Sequence, residues 1–86
     1  FVWVAFWDGN RVARYDPTTA EPVTTIGVSA RKASCLTFGG PNAEDIYITT
    51  AIGDGDPALE GENAGGLFCI NLGIRGVPEF RSRIGL

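Results

Sequence analysis

Two stretches of the chain repeat one pattern. Phe1-Val2-Trp3-Val4-Ala5 runs on to Asp8-Gly9, and Asp45-Ile46-Tyr47-Ile48-Thr49-Thr50 runs on to Gly53-Asp54-Gly55. Trp3 and Tyr47 stand 44 positions apart, an interval within the repeat length of a β-propeller blade. The chain therefore reads as parts of two consecutive blades. A blade must bury its faces against neighbours, and about three stacked units are usually needed for stability. Two partial blades thus point to a piece of a larger ring, with the function belonging to the whole.

The length supports this reading. Eighty-six residues can form one small domain, but a chain this short buries a modest fraction of its surface. Phe1 stands inside an apolar run with no polar lead-in, which suggests an element cut through, since natural ends tend to be polar and frayed. A hydrophobic content of 44% excludes a disordered tail. A net charge of −3 with no block of basic residues argues against nucleic acid as a partner. No apolar run approaches the roughly 20 residues needed to cross a bilayer, so no membrane partner is expected and the chain is read as soluble. Cys35 and Cys69 each fall in a strand-like run without metal-ligand spacing, and the chain has no histidine. They are read as two buried thiols rather than a disulfide. That gives slight support to a reducing, cytoplasmic setting.

The periodicity predicts six strands, at residues 1–7, 10–16, 22–28, 34–39, 45–51 and 66–72. The first is apolar on both faces, as in a strand covered on both sides. Asp8-Gly9 supplies a hairpin turn, Asp16-Pro17 starts the next one, and Gly39-Gly40-Pro41-Asn42 a third. Small side chains at Ser34 and Cys35 suit an innermost propeller strand, where blades crowd the axis. No segment shows helical period over ten residues. The chain divides into a partial penultimate blade at 1–28, a partial last blade at 29–72 and a C-terminal tail at 73–86.

Several short motifs follow in order: Trp3-Val4-Ala5, Trp7-Asp8-Gly9, Arg11-Val12, Arg14-Tyr15-Asp16-Pro17, Ser34-Cys35, Phe38-Gly39-Gly40-Pro41, Tyr47-Ile48-Thr49-Thr50-Ala51 and Ala64-Gly65-Gly66-Leu67-Phe68. Their sequence and spacing closely resemble the C-terminal third of the senescence-marker-protein/gluconolactonase family, which includes regucalcin. The resemblance implies an all-β fold, a fragment of a six-bladed β-propeller comprising parts of its last two blades. It further implies a metal-dependent hydrolase that opens sugar lactones, with a divalent cation, calcium or zinc, at one end of the central channel. The family holds that cation with a glutamate, an asparagine and an aspartate, all upstream of where this chain begins. No metal ligand and no catalytic residue is therefore assigned to this chain, and it is expected to be inactive without the remaining propeller blades. In such an enzyme the cation would polarise the lactone carbonyl and activate water.

Ser34, at the head of an innermost strand, is the candidate pocket-rim hydroxyl, although the plainer reading, a small polar residue capping a strand near a crowded axis, is favoured. Arg31 and Lys32 read as solvated loop charges. Asp54, Asp56, Glu60 and Glu62 cluster between Gly53 and Gly66, but their spacing does not fit an EF-hand loop, and a flexible acidic loop is expected. Trp3, Trp7 and Phe38 could stack on a sugar, yet aromatics in apolar strands are mostly core. Without a histidine, Ser34 has no partner within the chain to make it a hydrolase nucleophile. Beside the lactonase reading stand two others: a non-catalytic propeller used for binding or scaffolding, and a β fragment that assembles with its own copies.

Overall fold

A computed structural model describes residues 1–76. Six strands form two antiparallel three-stranded sheets. The first sheet contains β1 (Val2–Phe6), β2 (Arg11–Tyr15) and β3 (Pro22–Gly27), and the second β4 (Lys32–Gly39), β5 (Asp45–Ala51) and β6 (Leu67–Asn71). All six predicted strands are present: β1, β2 and β6 are shorter by a residue at each end, β3 loses only Val28, β5 keeps its predicted bounds, and β4 starts two residues earlier than the periodicity suggests. The last ten residues of the predicted tail lie outside the described residues.

Alternation decides which side chains fill the space between the sheets. In β5, Ile46 and Ile48 point inward and are fully buried. Val12 and Ile26 from the first sheet and Ala33 from β4 join them, with Trp3, Ala5, Leu36, Phe38, Phe68 and Ile70 packed around that cluster. Apolar burial of this kind contributes about 25 cal/mol per Å². The opposite face of the second sheet leaves Cys35, Thr37, Thr49, Leu67 and Cys69 exposed. A sheet with one covered and one open face is usual for antiparallel strands.

The two cysteines are free, as expected, but both are exposed rather than buried. Cys69 follows from alternation, since its neighbours Phe68 and Ile70 turn inward. Cys35 has a different cause. The β4–β5 register runs Ala33↔Thr50 and then Cys35↔Thr49, so Ser34 is an extra residue in a β-bulge. Without the bulge, Ala33 and Cys35 would share the inward face; the inserted residue turns Cys35 outward.

The segment between β5 and β6 holds a four-residue helical turn, α1 (Pro57–Glu60), where only an acidic loop was anticipated. The local signal is Asp56-Pro57. The Asp56 side chain accepts a hydrogen bond from the Ala58 N–H, and Pro57 occupies a first-turn position where its missing N–H costs nothing.

Candidate functional site

The two sheets meet most closely where β1 lies against β4. A cleft of about 480 Å³ opens there, lined by Trp3, Val4 and Ala5 on one side and the run from Ser34 to Phe38 on the other. Ser34 is exposed on its rim. Its Oγ shares a 2.8 Å hydrogen bond with Thr49 Oγ1, and Thr49 Oγ1 lies 3.4 Å from the Cys35 carbonyl, to which it donates. The bulge therefore presents two hydroxyls side by side, one of them held by the backbone. Such a pair can donate to or accept from a polar ligand, but among the described residues neither has a base beside it to strip its proton.

Aromatic residues close one end of this seam. The rings of Trp3 and Phe38 meet edge to face with centroids 5.8 Å apart, and the Arg14 guanidinium sits 3.9 Å from the centre of the Phe1 ring. Trp3 and Phe38 are half-buried, close to the core role expected of them. Trp7 departs from that role: it is 53% exposed. β1 ends at Phe6, which leaves Trp7 in the turn, where the Lys32 ammonium stands 5.5 Å from its ring centre.

Ionic groups close the opposite end, and here the reading of solvated loop charges is overturned. Glu60 is 1% exposed. Its two carboxylate oxygens lie 3.6 Å from Arg31 Nη1 and 3.4 Å from Lys32 Nζ. Lys32 Nζ also donates to Asp8 Oδ1 at 2.7 Å, and Arg31 Nε lies 3.4 Å from the same oxygen. The turn after β1, the connection into β4 and α1 thus converge on one four-charge cluster. Its cause is backbone placement: the Arg31 N–H donates to the Glu60 carbonyl at 2.7 Å, and the Asn63 N–H to the Ser29 carbonyl at 3.2 Å, which draws residues 60–63 onto residues 29–31. The hydrogen bond from Lys32 holds the Asp8 carboxyl below its ordinary value of 3.8. In return Asp8, with a smaller part from Glu60, raises Lys32 above 10.5. Gly53 is required beside this cluster, because at its φ of +64° any Cβ would collide with the Glu60 carboxylate.

Sequence reasoning missed Glu60 because its neighbours in the chain, Asp54 and Glu62, are exposed acids of the same type. The available signal was Pro57, which orients the turn, combined with the paired cations Arg31-Lys32. Among the described residues, no group of three or more histidine, cysteine, aspartate or glutamate side chains is placed to hold a metal ion. Nor is any helix there long and apolar enough to cross a membrane.

Two antiparallel sheets packed through their inner faces, with a bulged strand at the seam, define an all-β protein built of blade-like units. The chain belongs to the SMP-30/Gluconolactonase/LRE-like family, whose pattern matches residues 1–52. Its sheets are accordingly partial blades of a β-propeller. It is 37% identical to pentonolactonase XacC of Haloferax volcanii, an alignment covering 99% of this chain and 31% of that protein. It is also 37% identical to the regucalcins of Sus scrofa and Homo sapiens, over 92% of this chain and 27% of theirs. The chain spans about a third of the length of the curated relatives it matches.

Proposed function

We propose that the whole protein containing this chain is a metal-dependent sugar lactonase of the gluconolactonase type, and that this chain is its C-terminal portion. The observation that carries the reading is the similarity of nearly the whole of this chain to a pentonolactonase, together with family membership over the first sheet and all of β4 and β5. A propeller scaffold alone would not suffice, since one fold hosts many functions.

In this reading the remaining propeller blades, six in all with the two partial ones here, cover the open face of the second sheet and the outer face of the first. The divalent cation, calcium or zinc, is held by side chains of those other blades. Among the described residues no group of side chains fits a metal, so no step is assigned to one here. Their part is to shape the pocket: Ser34 offers a hydroxyl at its rim, hydrogen-bonded to Thr49, and Trp3 and Phe38 form part of its wall. The chain on its own is inactive, the substrate is a sugar lactone, and the setting is cytoplasmic.

The test is hydrolysis of a panel of aldonolactones by the intact protein, before and after chelation and on re-addition of calcium or zinc. Hydrolysis that disappears with chelator and returns with one cation is the expected result. Asp54→Ala and Asp56→Ala should leave the rate near normal, and Ser34→Ala should lower it modestly. An intact protein that binds a lactone without opening it would instead support a non-catalytic propeller.

A further inference from the structure

The segment from residue 53 to residue 65 has the construction of a movable strap. We propose that it is an ionic latch: Glu60, seated between Arg31 and Lys32, pins the strap over the connection into β4, and loss of that seat lets the strap swing into solvent while the sheets stay folded.

Four observations carry this. First, Glu60 is almost fully buried, yet neither carboxylate oxygen makes a hydrogen bond. Its cations stand 3.4 and 3.6 Å away, while the short contact of Lys32 goes to Asp8 instead. A buried charge held by Coulomb attraction without hydrogen bonds recovers little of its desolvation cost, so the closed position is only marginally favoured. Second, a pocket of about 150 Å³ is lined, apart from Ile52, by the strap's own residues, Asp56, Pro57, Glu60 and Ala64 among them, so the strap curls around open space and no side chain of the sheets fills it. Third, Gly53 and Gly65, at φ of +64° and +84°, stand at its two ends as pivots. Fourth, the strap is otherwise secured by few bonds: the Arg31 and Asn63 amides to the Glu60 and Ser29 carbonyls, and Asn63 Nδ2 donating to Ser29 Oγ at 2.6 Å. The same geometry argues against a cation under the strap, because two cationic side chains already face the carboxylate.

Opening would return Glu60 to water and leave Arg31 and Lys32 with Asp8 alone. Those two cations immediately precede Ala33 and the bulge at Ser34, so the latch controls how firmly the head of β4 is held. This holds whatever reaction the protein performs.

Hydrogen–deuterium exchange by mass spectrometry on the intact protein reads the latch directly. In Glu60→Gln, amides of residues 53–65 and of Arg31 should exchange roughly tenfold faster or more, while those of β5 around Ile46 and Ile48 keep their wild-type rates. Lys32→Met provides a second reading should Glu60→Gln fail to fold. It leaves Glu60 with Arg31 only, so the strap should open more readily still. Unchanged strap exchange in the variants that fold would overturn the proposal. So would acceleration shared equally by β5, which would make Glu60 part of the global core rather than a latch.

Discussion

At one end of the seam between the sheets, two carboxylates meet two cations; at the other, Trp3 meets Phe38 edge to face and the Arg14 guanidinium sits over Phe1. Both ends tie the same pair of sheets, but they do so with different reserves of energy. The aromatic end gains from area removed from water and from edge-to-face ring geometry, which adds about 0.5–1.5 kcal/mol beyond burial. The ionic end must first strip water from Glu60, and its ion pairs return that cost only in part. Apolar contact can therefore hold the sheets together permanently, whereas the charged end is suited to holding something that can let go.

This contrast can be broken from either side. The largest effect is expected from Phe38→Ala, which removes the partner of Trp3 and a wall of the cleft. Because Phe38 is half-buried, the loss should fall near the lower end for large-to-small changes, about 2–3 kcal/mol in denaturant unfolding of the intact protein. Glu60→Ala should cost less, about 1–2 kcal/mol, since Arg31 and Lys32 keep Asp8 and side-chain exposures of 32% and 14% let water reach them. If Glu60→Ala proves the more costly, the assignment of permanent strength to the aromatic end is wrong. Combining the two substitutions sharpens the comparison. The ends share no contacts, so the losses should add within about 0.5 kcal/mol; strong coupling would mean that the seam acts as one unit.

A smaller effect should appear in the pH dependence of the melting temperature. Asp8 is depressed below 3.8 by Lys32, so its stabilisation is complete above that value and fades as pH falls through its lower folded value. Lys32 is raised above 10.5, so its contribution is complete below that value and fades as pH rises further. Between these limits the pair should give a flat profile, and Asp8→Asn should lessen the acid loss attributable to this site. A profile that changes within that window in wild type but not in Asp8→Asn would show the pair titrating elsewhere. The smallest change is expected for Ser34→Ala, whose bond to Thr49 is exposed: below about 1 kcal/mol in stability.

Much of the fold was legible because it rests on alternation. Ile46 and Ile48 inward, Tyr47 and Thr49 outward is a pattern that any strand of this composition announces, and Asp8-Gly9 announces its turn. What escaped were features in which one residue changes the meaning of its neighbours. The bulge at Ser34 is invisible to a period-two reading and reversed the expectation for Cys35. Burial of Glu60 depends on backbone bonds between residues 29–31 and 60–63, distant in the chain, so local charge density misjudged both the acid and its cations. Trp7 was assigned to the core because the apolar run continues one residue past the point where the strand ends. Ser34 lines the cleft against β1; its place at a strand head made it a pocket-rim candidate, while the bulge that puts it there left no trace in the periodicity.

That bulge makes β4 a strand with a phase slip. Before it, odd-numbered Ala33 faces inward; after it, even-numbered Leu36 and Phe38 do. Ser34 accounts for that change of parity, because it is the one residue of β4 with nothing opposite it on β5. Alanine or glycine there preserves the count. Deleting the residue would leave Ala33 and Cys35 adjacent and still opposite the consecutive Thr50 and Thr49, so Leu36 and Phe38 would keep facing inward by ordinary alternation, whereas straightening the bulge with Ser34 retained would exchange inside for outside along one flank. An exposed serine is thus the one position of β4 that could be removed without turning its neighbours over, at the loss of the bulge and of its hydroxyl at the cleft.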